Sequence, residues 1–354
     1  MYILPKKKGL DINNFSEILE LKLTSSSYKI YWLYGILEEI KMGNKNLTFK
    51  DIVDNMICKA WYSILEFKLS FGPQDRLGEI VKFLYKKHNL SKTIKEKELK
   101  KILFSLDCPE YEKMRKNLFN LVPYRLISPF YDELIGIKDN LKNKMIIDLS
   151  NKSDKGLYKL KGEELEINKA WFNYLYKHQV IIEGWIKFKL VCYLQVKNPN
   201  VPSIIFKLEA AQKRKLNKAT KFWEGLIQNY EIKDIYTGEI LTVENMSIDH
   251  FIPWSFVLHD ELWNLIPTSK STNSIKNNRL PNLDEHLENL INLLYFAFNI
   301  TIKSGEIKKL EDFLNINGIQ LIKMSKEEFK DLLEKTINPL HQLAYNQGFS
   351  MWNY

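Results

Sequence analysis

The chain has 354 residues, of which 45% are hydrophobic and 27% are charged, and this balance excludes an intrinsically disordered protein. Its formal net charge of +9 favours a polyanionic partner such as nucleic acid, although a lysine-rich soluble protein can carry the same charge. The isolated cysteines Cys58, Cys108 and Cys192 imply no disulfide framework, and no apolar run is long enough to span a bilayer. We therefore expect a soluble cytoplasmic protein without a signal peptide.

Residues 1–167 are predicted to form an N-terminal helical domain with a small β-rich segment at 121–167. Apolar residues recur at helical spacing between Ser27 and Gly43, and Thr48 with Asp51 is typical of the start of a second helix. Turn residues then separate four short runs of β type, which predict a small sheet or a pair of hairpins. These runs are Tyr124–Ile127, Met145–Leu149, Leu157–Leu160 and Leu165–Ile167.

Residues 168–354 are predicted to form a second helical lobe, so the expected fold class is mainly α with a small β region. A helical region runs from Asn168 to about Gln195, and a second helix is expected from Pro202 with an apolar stripe that ends near Leu226. The other face of that second helix either keeps the lobe soluble or contacts a nucleic-acid backbone. This basic face consists of Lys207, Lys213, Arg214, Lys215, Lys218 and Lys221.

The segment Ile248–Pro281 combines three predicted elements in a fixed order. Met246–Phe251 and Leu262–Ile266 are typical of strands, and Asn273–Arg279 is predicted to form a short helix that ends at Leu280-Pro281. Apolar helices are expected on its C-terminal side, at Asp284–Thr301 and from Ser325, where Glu328 completes a capping box. These helices are expected to pack on the small strand–strand–helix unit, which cannot build a large core alone.

Each element of this segment carries a polar side chain suited to phosphodiester chemistry. A carboxylate from Asp249 and an amide oxygen from Asn273 are hard ligands of the kind that Mg²⁺ takes. The neighbouring His250 can accept a proton from water near pH 7. Because consecutive residues of a strand face opposite sides, the strand has to end or twist where Asp249 meets His250. His259 and Asp260, in the loop between the strands, are interpreted as surface residues.

The residues Asp249-His250, Pro253, Ser255, Asn264, Asn273, Lys276 and Leu280-Pro281 resemble the HNH endonucleases of the ββα-metal (His-Me finger) superfamily. Their motif is most similar to the HNH domain of RNA-guided CRISPR nucleases. The resemblance implies that His250 is the general base, that Asp249 and Asn273 hold one Mg²⁺, for which Mn²⁺ can substitute, and that Asn264 steadies the site. Tyr236-Thr237-Gly238 is similar to the turn that opens many of these domains. Since the chain has no CxxC pair near that turn, no structural zinc is expected.

The resemblance covers about residues 233–283 and implies a Mg²⁺-dependent endonuclease that cuts DNA, most consistent with restriction or anti-phage defence. Duplex DNA, and a protein partner in a defence system, are the expected partners, with no membrane contact. Phosphate contacts are expected from Lys276 and, within the basic face, from Lys213, Arg214, Lys218 and Lys221. Two alternatives stay open: a regulatory or scaffold subunit whose nuclease acts only with a partner, and a nuclease for RNA or single strands.

Overall fold

The computed structural model describes residues 4–20, 26–210, 214–317 and 324–353. These residues are mainly α-helical with a few small sheets, which confirms the predicted fold class. Internal contacts divide the chain into two compact units, Met1–Pro199 with Ile204–Ala210 and Asn200–Ser203 with Ala211–Tyr354. The helices Lys169–Lys177 and Gln179–Lys197 therefore lie in the first unit, whereas the sequence placed them in the second lobe.

The first unit is a set of helices packed around large aromatic side chains. Trp61 and Phe67 are completely buried in this core, and Gly35 brings two helices together because a Cβ there would lie 2.7 Å from the carbonyl oxygen of Ile52. Burial of such large rings stabilises a helical unit more than any local propensity. The helices are Ile12–Glu17, Tyr28–Lys41, Phe49–Leu65, Leu77–Lys87, Glu96–Ser105, Pro109–Leu118, Val122–Ile127, Asp139–Lys152, Lys169–Lys177 and Gln179–Lys197.

A three-stranded antiparallel sheet completes the first unit. It consists of β1 (Asn46–Thr48), β2 (Tyr158–Lys161) and β3 (Glu164–Ile167), with β3 in the centre. β2 and β3 form a hairpin at the last two of the four runs that were predicted as strands. Short 3-10 helices lie at Ser128–Phe130, Asp132–Leu134 and Ile204–Lys207.

The other two predicted strand runs are wrong. Tyr124–Ile127 belongs to the helix Val122–Ile127, which Pro123 favours because proline fits the first turn of a helix. Met145–Leu149 lies inside the helix Asp139–Lys152, where the buried residues Ile146 and Ser150 are four positions apart. That spacing is a helical one, and the short apolar window obscured it.

The second unit contains the predicted strand, loop, strand and helix. β4 (Met246–His250) pairs antiparallel with β5 (Leu265–Ser269), and the helix Lys270–Lys276 follows at once. β5 starts later than predicted because Leu262–Asn264 forms a 3-10 turn before it. The helix also starts earlier than predicted, because the Ser269 hydroxyl accepts from the Thr272 N–H and caps it.

Helices surround this ββα element and share its hydrophobic core. The expected capping box of Ser325 and Glu328 is present at the start of the last helix. Leu280–Pro281 forms β6, which pairs parallel with β7 (Met351–Trp352). The helices are Asn217–Ile227, Trp254–Val257, Leu283–Lys303, Glu311–Asn317 and Lys326–Asn346, with a 3-10 helix at Ile307–Leu310.

The single long helix expected from Pro202 is wrong. The chain forms the 3-10 helix Ile204–Lys207 and, much later, the helix Asn217–Ile227. Lys207 is completely buried, so it does not belong to an exposed basic face, and burial lowers the pKa of its ammonium to about 7. Among the helices that the structure describes, none combines the length and apolar character needed to cross a membrane.

Candidate active site

A cleft of about 430 Å³ opens at the end of β4, beside the helix Lys270–Lys276. Asp249, His250 and Asn273 all line it, so the structure brings together the predicted base and both predicted ligands. β4 ends at His250, and its last three residues are all buried instead of alternating in exposure, so that Asp249 and His250 both line the cleft at the end of the strand. The other lining residues are Arg214, Ser247, Pro253, Trp254, Lys270, Ser274, Asn277 and Asn278.

The Asp249 carboxylate is held by donors on two sides. Its Oδ2 accepts from the Tyr236 hydroxyl at 2.9 Å and lies 2.9 Å from the Lys276 ammonium, which also reaches Oδ1 at 3.2 Å. Asp249 is only 4% exposed, and an ammonium beside it offsets the cost of burying its charge. The carboxylate is therefore fixed in orientation at the wall of the cleft.

Lys276 does not take the phosphate-contacting position that the sequence indicated. Its side chain is completely buried, and its ammonium donates to the His250 carbonyl oxygen at 2.8 Å as well as to Asp249. The helix Lys270–Lys276 packs against β4, and Lys276 lies on the buried face of this helix. Burial lowers the pKa of Lys276, and the charge of Asp249 opposes that shift.

His250 is oriented by a carboxylate that sequence reasoning assigned to the surface. Its Nε2 lies 2.9 Å from Oδ1 of Asp260, and the side chain of Asp260 is 17% exposed. The loop between the strands folds back to bring this residue to His250, and no motif spacing signals such a closure. Burial lowers the pKa of His250, and the hydrogen bond to Asp260 acts in the opposite direction. A lowered pKa favours the neutral imidazole, which is the form that a general base requires.

Asn264 is completely buried and does not line the cleft. Its Oδ1 accepts from the Ile252 N–H at 2.8 Å, and its Nδ2 donates to the Ile252 carbonyl at 2.9 Å. The side chain thus fastens the backbone two residues after His250 to the start of β5. This geometry is the kind expected of a residue that steadies the site, because Asn264 acts on the backbone beside His250 rather than from within the cleft.

Asn273 presents an amide oxygen to the cleft. Its Nδ2 donates to the Ser247 hydroxyl and to the Ile248 carbonyl, each at 3.0 Å, so Oδ1 remains available as a ligand. Together with Asp249 it offers two hard oxygen ligands, a donor set that fits Mg²⁺ with waters and phosphate completing its shell. In the described ranges, no cluster of three or more histidine, cysteine or acidic side chains could hold a metal ion.

The predicted basic face is divided between two places. Arg214 lines the cleft, where its guanidinium lies 5.3 Å from the centre of the Trp254 ring. Lys218 and Lys221 instead line a neighbouring cavity of about 310 Å³, where Lys218 lies 3.2 Å from Asp312. Lys213 lies outside the described residues. A further cation at the cleft, Lys270, was missed because its place depends on where the helix begins.

A tight turn delivers Tyr236 to Asp249. The Gly238 N–H donates to the Asp234 carbonyl at 2.8 Å, and Gly238 has a φ of +75°, which glycine adopts without strain. The buried Asp234 carboxylate accepts from the Thr268 hydroxyl and the Ser269 N–H, which fastens the turn to the end of β5. The sequence indicated the turn but not the hydrogen bond that it provides.

A buried histidine, two side chains with hard oxygen donors and nearby cations are the groups that metal-assisted hydrolysis of phosphodiesters uses. Residues 230–282 match the family model of the HNH endonucleases, and this range covers the turn, both strands and the helix. The chain therefore carries an HNH domain, which implies an endonuclease that binds nucleic acid and uses a divalent metal. It matches no curated protein and no solved structure.

Proposed function

We propose that this protein is a Mg²⁺-dependent endonuclease that hydrolyses phosphodiester bonds of DNA, with His250 as the general base. The observation that carries the proposal is the convergence of Asp249, His250 and Asn273 on one cleft within a domain that matches the HNH endonucleases. Fold alone would not support this activity, because one fold can serve many functions.

His250 accepts a proton from a water molecule, whose oxygen attacks phosphorus in line with the leaving group. The bond between phosphorus and the 3′ oxygen breaks, the leaving oxygen takes a proton from solvent, and the products carry 5′-phosphate and 3′-hydroxyl ends. Asp249 and Asn273 would hold Mg²⁺, which supplies charge neutralisation on the phosphate when bound. Tyr236 keeps Asp249 oriented, and Asn264 keeps the loop after His250 in place.

The proposal is tested by incubating purified protein and supercoiled plasmid with Mg²⁺, with EDTA, and with His250→Ala in place of the wild type. We expect nicking or linearisation that requires both the metal and His250. Equal cutting by the variant would contradict the assignment of His250. If the wild type binds Mg²⁺ but does not cut, the partner-dependent alternative is favoured. Cleavage assays on duplex DNA, single-stranded DNA and RNA, run side by side, identify the substrate.

Arg214 is proposed to contact the substrate backbone, because it is exposed, lines the cleft and rests on the Trp254 ring. In the inactive His250→Ala background, Arg214→Ala should weaken duplex binding and reduce the slope of log K against log salt by about 0.9, the value for one phosphate contact. Fluorescence anisotropy at several salt concentrations measures this slope.

Lys335→Ala is the matched control for this experiment, because Lys335 is exposed, pairs with Asp331 and does not line the cleft. An unchanged slope in Arg214→Ala would contradict the proposed contact. The same assay tests Lys218 and Lys221, which we propose as contacts to phosphates that flank the cleft.

A role in restriction or anti-phage defence completes the proposal. We expect cells that express the wild type, but not cells that express His250→Ala, to show fewer plaques after phage infection. Equal plaque numbers across a broad set of phages would argue against the defence role and leave the nuclease assignment intact.

A further inference from the structure

We propose that Asp260 is a positioning residue for His250 that fixes the imidazole in the tautomer with its proton on Nε2, so that Nδ1 faces the reaction as the base. This inference rests on the proposed function, because it assigns the residue that prepares the proposed base. Asp260 does not line the cleft, and it acts through His250 alone.

The tautomer follows from the chemistry of the contact. An ionised carboxylate only accepts hydrogen bonds, so the hydrogen between Oδ1 of Asp260 and Nε2 of His250 belongs to the imidazole. A neutral imidazole carries one ring proton, and Nδ1 is then unprotonated. In the described part of the chain no hydrogen bond occupies Nδ1, so this nitrogen remains available for a water molecule.

A second hydrogen bond keeps the carboxylate from turning away. Oδ2 of Asp260 accepts from the backbone N–H of Lys215 at 2.6 Å. One oxygen is therefore anchored to the main chain while the other holds the ring. Both oxygens are needed as acceptors, and this requirement makes a carboxylate different from an amide of the same size.

The contact also serves the proton transfer itself. When Nδ1 takes a proton from water, the imidazolium that forms keeps its Nε2 hydrogen bond to the Asp260 carboxylate, and the proton on Nδ1 returns to solvent after the bond between phosphorus and oxygen has broken. Asp260 stays ionised throughout and stabilises the positive charge. The loss of this arrangement affects the chemical step and leaves substrate binding in place.

The amide variant gives the sharpest test. In Asp260→Asn one oxygen cannot serve both donors, and if it stays with the Lys215 N–H, the amide nitrogen donates to Nε2 and moves the ring proton to Nδ1. We expect kcat to fall by about 100-fold in Asp260→Asn and about 10-fold in Asp260→Ala, each with little change in KM. Steric similarity alone would predict the reverse order.

Nitrogen NMR of the metal-free protein labelled at histidine provides a readout that does not depend on cutting. We expect a protonated Nε2 on His250 in the wild type and a protonated Nδ1 in Asp260→Asn. Asp331→Asn is the control, since the Asp331 carboxylate is exposed, pairs with Lys335 and does not contact His250. This control should keep the wild-type kcat and ring spectrum.

The inference is overturned if Asp260→Asn keeps the wild-type kcat, or if the wild-type ring carries its proton on Nδ1. Thermal melting identifies a variant that loses activity only by unfolding. In that case the ring spectrum of the folded Asp260→Ala protein decides whether Asp260 sets the tautomer of His250. If the wild type cuts no substrate, the proposed function fails, whereas the spectra still test the role of Asp260.

Discussion

At the residue scale, Lys276 provides a buried positive charge inside the candidate active site. Its fully buried ammonium pairs with the Asp249 carboxylate. It therefore supplies the counter-charge that this carboxylate, buried away from water, needs when no metal is bound. We expect Lys276→Met to lower the free energy of unfolding of the metal-free protein by about 3 kcal/mol, because it leaves a buried carboxylate unpaired. We also expect Mg²⁺ to restore more stability to this variant than it adds to the wild type. Thermal melts with Mg²⁺ and with EDTA measure both effects.

Lys335→Met serves as the control for this prediction, because its exposed ion pair should contribute little. The same increment from Mg²⁺ in Lys276→Met and the wild type would show that the ammonium and the metal do not compete for Asp249.

The convergence of the three proposed site residues on one cleft could be predicted because their spacing follows from the short ββα element. Asp249 and His250 are the last residues of β4, and Asn273 lies in the helix Lys270–Lys276. The order and length of these neighbouring elements are encoded in the local sequence. Asp260 and Tyr236 could not be predicted in the same way. They reach the site through the closure of a loop and a turn, which depends on tertiary contacts that no single-sequence pattern contains.

At the element scale, Asn264 holds the loop after β4 against the start of β5. We expect Asn264→Leu to lower the free energy of unfolding by about 3 kcal/mol, because the buried N–H and carbonyl of Ile252 both lose their partners. Urea denaturation measures the change. Asn264→Asp keeps an acceptor for the Ile252 N–H but sets a buried, unpaired carboxylate against the Ile252 carbonyl, so we expect a loss at least as large. An unchanged midpoint in Asn264→Leu would contradict the proposed fastening.

The order of the ββα element could be predicted, whereas several other elements could not. Tyr124–Ile127 and Met145–Leu149 have the composition of strands, yet packing within the first unit selects helices there. The sequence between Pro202 and Leu226 has one apolar stripe, yet its described residues form a short 3-10 helix and, separately, the helix Asn217–Ile227. Periodicity in a short window is a weak guide wherever tertiary burial decides the structure.

At the scale of the whole molecule, four histidines of the second unit share one response to acid. Burial lowers the pKa values of His250, His259, His286 and His341 below the ordinary histidine value. The unfolded chain therefore binds more protons than the folded one as the pH falls through the ordinary value near 6.5, and the stability present above that pH is lost. We expect the melting temperature of the second unit to decrease between pH 7.5 and pH 5.

His286→Phe isolates one contribution to this pH dependence. The His286 ring packs 5.1 Å from Tyr236 and 6.2 Å from Trp352, and its buried Nε2 has no hydrogen-bond partner among the described residues. A phenyl ring can keep these contacts without a proton to gain, so the variant should lose less stability on acidification. A pH dependence identical to the wild type would contradict the role of His286.

The pairing of β6 with β7 links the end of the ββα element to the last described residues of the second unit. Through it, Trp352 packs 4.9 Å from the Tyr236 ring, and the Tyr236 hydroxyl in turn holds Asp249. The stretch that matches the HNH endonucleases ends at residue 282, seventy residues before this tryptophan. The folding unit of the cleft is therefore larger than the motif that identifies it, and a fragment trimmed to the motif would leave Tyr236 without the rings of His286 and Trp352.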